Sequence, residues 1–593
     1  PTTARSAAAS TKQNNNNMKR LLSIALAALP LFASAQISKN VTVDSVGLLS
    51  KQIQKEEMFK ISELKVSGPL NSADIKLLQQ IVNRSKANEK KGECVVTSID
   101  LSEAVFTEGK DAKRTTTLPN GLFDGAKQLL RVTLPRGITA ISKNCFNGCA
   151  SLPEVNIPES VTAIGDQAFQ DCEALATITI PQGVTTIGNE AFENCKSLGA
   201  IEIPENVTDL GNEAFNGCKA LATANISGKI KKIGNATFKG CENLTTVTLP
   251  ESVKSIGNDA FRDCKSIPTL DLPEDCDEIG NSAFEDCAAI TAVEMGNVSK
   301  IGSNAFEDCK SLVGVTLDKL SKLGSGVFKN CTSLSTVTIQ GSIDEINSNT
   351  FYGCSTLTAL TLPSTVKEIG SSAFEKCQTL AEIEFPASLT KIGSEAFKEC
   401  SSLREAIIPN MVKSIGSSAF EGCATLDSVA INGMVSEIDS KTFYRCNALR
   451  SITLPASVKK IGTKAFQECT SLTAIDLPAA LTAIGDDAFE KCASLQSIKI
   501  PIAVTTIGSD AFLECTMLAR AELPVALKKI GGSAFAKCPS LRDVILNTPT
   551  PPAISRSTFK DVVSCSFWLP KNSKTLYMAN KDWVKVYVLK EKE

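Results

Sequence analysis

The chain has 593 residues, 43% of them hydrophobic and 21% charged, with a formal net charge of −2 and a pI near 5.8. A charge balance this even leaves no electrostatic footprint for nucleic acid. Histidine is absent altogether, which removes the commonest metal ligand and acid–base catalyst, so no metal, cofactor or catalytic residue is predicted.

Residues 1–17 are polar and low in complexity, with an asparagine run at Asn14 to Asn17, and are read as an upstream, non-native segment outside the fold. Residues 18–35 then carry a basic start at Lys19 and Arg20, an apolar run from Leu21 to Phe32 and small residues at Ala33-Ser34-Ala35. That is the pattern of a secretory signal peptide, and the run is well short of the roughly 20 apolar residues a membrane span requires. Gln36 is the expected mature N-terminus, and nothing later in the sequence is long and apolar enough to span a membrane.

Residues 36–118 carry no repeat. Ile61 to Val66 alternates as a strand, Asn71 to Val82 has an early cap and the apolar stripe of a helix, and Val96 to Leu101 reads as another strand. The segment is assigned as an N-terminal cap, because the end of a repeat array must cover its own core.

From residue 119 one sentence is written again and again. Phenylalanine recurs from Phe123, Phe146, Phe169 and Phe192 to Phe535 and Phe559, about 20 repeats of 22–23 residues, a period that signals a solenoid. Within one copy Leu175, Ile178 and Ile180 follow the L-x-x-L-x-L pattern of a leucine-rich-repeat strand, and Pro181 ends it. Val184, Ile187, Ala191 and Phe192 line the rest of the coil, and Gly188 is expected to permit a bend. The predicted fold is therefore a leucine-rich-repeat solenoid of the α/β type. Its short parallel strands are expected to form one long curved sheet, with an irregular or short helical convex side. At about 4.8 Å per strand that sheet would extend roughly 90 Å.

The array runs over residues 119–546. Cys287, Cys309 and Cys331 are one residue closer than the rule, a shortening that falls in the turn after the strand. In Ile226-Ser227-Gly228, Ile339-Gln340-Gly341 and Ile431-Asn432-Gly433 the proline is lost, and Thr237, Thr350 and Thr442 replace the alanine before phenylalanine. Residues 547–593 hold a last imperfect repeat and a strand-rich tail with both tryptophans, assigned as the C-terminal cap.

Eighteen of the 22 cysteines stand three residues after the phenylalanine, from Cys149 to Cys538. An exported chain with many cysteines suggests disulfides. Equivalent side chains in a stack point in parallel, however, and Ala126 and Val562 occupy the same register at the array ends, which favours a column of buried, reduced thiols.

No nucleophile with a base and no phosphate-binding glycine loop breaks the repeat. Neighbouring acids such as Glu382 and Glu384, or Asp486 and Asp487, are explained by strand alternation and solvated loops. What varies from copy to copy is the outward face of the strand, the concave face of a solenoid, which such proteins use for binding. Its candidate residues are Thr177, Thr179, Glu382, Glu384, Asp476, Lys499, Arg520 and Glu522. The face is rich in Thr, Ser and Ala and poor in aromatic anchors, which leaves open a structural or decoy role without a specific ligand.

The motif Ile-Pro-x-x-Val-x-x-Ile-Gly-x-x-Ala-Phe-x-x-Cys-x-x-Leu resembles the BspA-like leucine-rich repeat of bacterial surface antigens and some parasitic protists. The ends resemble Bacteroidetes members, through Ser67 to Ile75 and through Leu569 to Ser573 with Tyr577 and Trp583. With no nucleophile–base pair or phosphate loop breaking the repeat, the chain is read as non-enzymatic. The resemblance implies export, a cell-surface or secreted location, and adhesion to host matrix proteins or to other bacteria. The leading expectation is an adhesin that binds a protein or glycan along the concave face. No sorting motif, lipid anchor or immunoglobulin-like stalk is found, so release into the medium or residence in the periplasm stays open.

Overall fold

The computed structural model describes residues 37–83, 96–108, 113–585 and 588–592. The expectations for residues 1–17, for the signal sequence and for Gln36 lie outside the described residues, as does Cys94. The chain forms two compact units: one reaches Thr115 and includes Gln128–Thr133, and the other comprises Thr116–Lys127 and Leu134–Glu593.

In the first unit the strand expected over Ile61 to Val66 runs on to Leu70 and pairs in parallel with Ile37–Thr42 and Ser98–Asp100. The expected helix is Ser72–Val82. Its cap is reciprocal: Asn71 Oδ1 accepts from the Ala73 and Asp74 amides, while Asp74 Oδ2 accepts from the Asn71 amide. Asp74 is 2% exposed, and the Gly47 and Leu49 amides also donate to it, so its charge is fully hydrogen-bonded.

The second unit is a stack of parallel coils. Each coil has two strand positions rather than the single one expected. The first column contains Thr177–Ile178, Ala200–Ile203 and Thr223–Ile226 and continues to Asp543–Leu546; the second contains Thr186–Ile187, Asp209–Leu210 and Lys232–Ile233 and continues to Lys529–Ile530. Neither column is one sheet, for each is divided into sheets of two to five strands. The first column loses its ladder over residues 381–386 and 473–478. No helix lies between Thr116 and Ala553 among the described residues, so the side opposite the strands is irregular rather than helical.

The turn that carries the phenylalanine solves a backbone problem. A loop stacked between two others must find partners for its amides. In one coil the Gln167, Phe169 and Asp171 amides donate to the Asn189, Ala191 and Glu193 carbonyls of the next, at 2.7–2.8 Å. Gln167 and Asp171 both take a left-handed conformation, φ 57°, which turns alternate amides along the stack. The same pair of left-handed positions recurs in coil after coil, for example at Lys464 and Glu468.

Side chains fill the stack in columns. The rings from Phe123 to Phe559 stack pairwise with centroids 5.0–5.8 Å apart, and those from Phe123 to Phe535 are fully buried. Burying each ring is worth about 2–3 kcal/mol, and most of that gain needs a neighbouring coil. Beyond the last ring of the column, Phe567 meets Phe559 edge-on at 4.9 Å and Trp583 lies against both.

The glycine after each isoleucine serves packing rather than the expected bend. Gly188 is not left-handed, but a Cβ there would lie 2.4 Å from the Asp166 nitrogen of the preceding coil. The next position forms a polar ladder: Asn212, Asn235, Asn258 and Asn281 each donate a backbone amide to the side-chain oxygen one coil back. In the proline-less variant, a Cβ on Gly341 would fall 1.9 Å from the Leu320 carbonyl oxygen. The threonines of these repeats are buried, and each donates its hydroxyl three residues back, Thr237 to Gly234, Thr350 to Asn347 and Thr442 to Asp439.

Candidate binding face

Strand alternation turns residues 177 and 179, and their equivalents in every coil, away from the core. Thr177, Thr179, Glu382, Glu384, Asp476, Lys499 and Arg520 are exposed, and Glu522 is half-buried. The structure does not gather them into one site. Thr177 and Thr179 lie on an early coil, whereas Glu382, Glu384 and Asp476 lie in the two stretches where the strand ladder lapses.

Only the C-terminal members come together. Ser497–Lys499, Arg520–Leu523, Asp543–Leu546, Ser566–Leu569 and Val588–Glu591 form a five-stranded parallel sheet. In register across it run Lys499, Glu522, Ile545, Trp568 and Lys590, beside Ser497, Arg520, Asp543, Ser566 and Val588. Trp568 was missing from the sequence-derived residues, although the alternation in Ser566-Phe567-Trp568-Leu569 places it outward, one repeat after Ile545. Its indole nitrogen donates to Asp543 Oδ1 at 2.7 Å, and Lys590 Nζ lies 5.0 Å from its ring centre. Ile407, 53% exposed, is a further apolar residue on the outward positions, besides Ile545, Trp568 and Val588.

Elsewhere some charges pair between neighbouring coils. In the turn before each cysteine, Arg445 pairs with Glu468 at 3.1 Å, Lys491 with Glu468 at 3.6 Å and Lys537 with Glu514 at 2.7 Å. The hydrogen bond between Lys537 and Glu514 holds the carboxyl below its usual range and raises the amine. Beside this ladder lies a shallow open groove lined by Thr470, Lys491, Glu514, Thr516, Lys537 and Asp561. Lys499 and Arg520, whose register partners are Glu522 and Asp543, make no ion pair among the described residues, as is true of many cations of the chain.

The cysteine column is internal to the coil stack and lines no part of the face. The 21 described cysteines are free and buried. In all eighteen repeats from Cys149 to Cys538 the thiol donates to the carbonyl of the phenylalanine in the preceding coil, at 3.1–3.3 Å. Ala126 belongs to the first phenylalanine coil, which has no earlier phenylalanine carbonyl to serve. Burial pushes the Cys276 thiol up to about 11 and those of Cys538 and Cys565 to about 12. Among the described residues no group of three His, Cys, Asp or Glu side chains could hold a metal ion, and no helix is long and apolar enough to cross a membrane.

A stack of short parallel strands, with repeated apolar columns inside and variable residues outside, defines a leucine-rich-repeat solenoid, a fold that is generally non-catalytic. The BspA-type leucine-rich repeat model matches residues 116–245, 231–358, 321–450 and 436–566, and the chain belongs to that family. Its sequence and fold are similar to those of a leucine-rich repeat protein from Bacteroides ovatus, at 28% identity over 69% of this chain and 88% of the other, TM-score 0.46. A leucine-rich cell surface protein from Faecalibacterium prausnitzii is 26% identical over 61% of this chain and 83% of its own, TM-score 0.29. A T. pallidum leucine-rich repeat protein is 30% identical over 35% of this chain and 78% of its own, TM-score 0.24. The comparison with curated proteins gives no match.

Proposed function

We propose that the chain is an exported bacterial surface or secreted binding protein, recognising a protein or a glycan on a host or bacterial surface through the outward face of its first strand column. The observation that carries this reading is the contrast between columns. Phenylalanine, cysteine and glycine repeat almost without change because each answers a packing demand of the neighbouring coil. Positions 177 and 179 and their equivalents answer no such demand, and they change from threonine pairs to Glu382 with Glu384 and then to Arg520 with Glu522. Variable exposed residues on a regular scaffold are what a solenoid offers a partner. Export rests on the signal-like residues 18–35, and one family relative is itself described as a cell surface protein.

Residues 36–118 are assigned the N-terminal cap from sequence. For residues 547–593, the contacts of Phe567 and Trp583 with Phe559 support the same role at the other end. A screen of Gln36 to Glu593 against extracellular-matrix proteins, glycans and whole bacterial cells, repeated over a range of salt, tests the function. A saturable partner supports it. Well-folded protein with no partner favours a structural or decoy role instead.

A further inference from the structure

We propose that the turns joining the two strand columns between Ile408 and Ile530 form an apolar ridge with a basic flank, and that this ridge rests on an anionic lipid surface. The ridge lies off the outward positions of the first column, so the inference goes beyond the binding reading and stands apart from it.

Four large apolar side chains project from these turns: Met411 is 51% exposed, Met434 63%, Ile502 72% and Val525 56%. Register makes them neighbours in pairs. Ile408 is opposite Ile431, which sets Met434 one coil beyond Met411, and Thr506 is opposite Lys529, which sets Val525 one coil beyond Ile502. The two coils between the pairs turn on Ala456-Ser457 and Ala479-Ala480, so small residues and no charge continue the row. Six coils at about 4.8 Å make a ridge roughly 24 Å long. The earlier half of the array differs, for Glu159, Glu205, Glu251 and Glu274 hold the place of Ile502 and Val525 directly after the proline. Packing therefore does not call for an apolar residue there, since both kinds of turn close the same coil.

Charge selects the partner. Between these turns and the second strand stand Lys413, Lys459, Lys460, Lys528 and Lys529, all exposed. One carboxylate accompanies them, Glu437, and it is paired with Lys460 at 2.5 Å. Over the same six coils the first-column stretches are balanced, four cations to four carboxylates, and the stretches from the second strand to the phenylalanine carry two more acids than bases. The excess of cations is thus confined to the flank of the ridge. There lysines can meet lipid phosphates while the apolar side chains enter the boundary of the acyl layer.

A lipid surface fits this ridge better than a protein does. Protein interfaces are anchored by tryptophan, tyrosine or arginine seated in pockets, whereas these turns hold none of the three and their large side chains stand out from the surface. Backbone polarity is partly answered in advance, because the Lys413, Lys459 and Lys528 amides donate to the coil before at 2.8–2.9 Å.

The test floats the chain from Gln36 to Glu593 with vesicles of phosphatidylcholine, either alone or mixed with phosphatidylglycerol. Binding should be at least about tenfold tighter to the mixed vesicles and should weaken as salt rises. Ile502→Ser with Val525→Ser, and separately Lys528→Glu with Lys529→Glu, should each weaken it about tenfold or more. Lys231→Glu with Lys232→Glu, the equivalent reversal in a coil without the apolar neighbours, should change it less than about threefold. Each variant must melt close to the parent. No binding to the mixed vesicles, equal binding to both kinds, or an equal loss from the Lys231 and Lys232 reversal overturns the proposal. So does self-association in place of vesicle binding that Ile502→Ser with Val525→Ser abolishes, because the ridge would then be a contact between copies. A soluble acidic protein that needs the same residues while the vesicles stay unbound overturns it as well.

Discussion

The thiol of Cys400 donates to the carbonyl oxygen of Phe374, one coil back, at 3.1 Å. That carbonyl also accepts the Cys377 amide of its own coil, at 3.1 Å. The cysteine column is thus a hydrogen-bond ladder along the stack, and its geometry gives cysteine a function that an apolar residue of similar size lacks.

Cys400→Ala should therefore cost about 1–2 kcal/mol, from one lost hydrogen bond and a small cavity. Ala126→Cys, in the coil with no phenylalanine carbonyl behind it, should gain nothing by comparison. Denaturant melts of the two variants against the parent measure the difference.

Burial also sets the pH response. A thiol whose folded pKa is raised stays protonated in the fold while it ionises in the unfolded chain, so the fold is fully stabilised below the ordinary thiol pKa. Stability is then lost as pH rises, at about 1.4 kcal/mol per pH unit for each such thiol, until the folded pKa is reached. With Cys276 near 11 and Cys538 and Cys565 near 12, the window opens at about pH 8.5 and extends to about 12. Thermal melts from pH 7 to 11 should show a steep loss above pH 9. At pH 8 a thiol reagent should leave the 21 described cysteines unreacted in the native chain and titrate all 22 after denaturation.

Two glycines separate packing from conformation. Gly416→Ala would place a Cβ 2.4 Å from the Ser394 nitrogen and should cost about 3 kcal/mol, because the atoms it meets are backbone of the preceding coil. Gly199→Ala meets nothing within 4 Å and should stay within about 0.5 kcal/mol of the parent. Equal effects at the two positions would show that coil-to-coil contact is not the reason for the glycine.

The repeat length, the phenylalanine and cysteine columns and the first strand position were legible in the sequence, because each is a residue type repeated in register. The helix after Asn71 was legible from its capping residues. The second strand column was not: Thr186–Ile187 and its equivalents are two residues long, too short to alternate. The left-handed positions were only partly marked: Gly148, Asn194, Gly217 and Gly353 hold them in some coils, but Arg445, Lys464 and Glu468 hold them in others, so no single residue type repeats in that register. Trp568 was passed over for a different reason. It lies in a tail assigned to capping, and only the register with Ile545 shows that the tail continues the face.

The sharpest test of the account compares two sets of charge reversals in the full chain for binding to a partner found in the screen. One set changes Glu382, Glu384, Arg520 and Glu522 on the first strand column. The other changes Lys231, Lys254, Lys413 and Lys459, exposed residues beside the second column. The account predicts a loss of about tenfold or more for the first set and less than about twofold for the second, with both proteins melting like the parent. Unchanged binding in the first set, or a loss confined to the second, would contradict it.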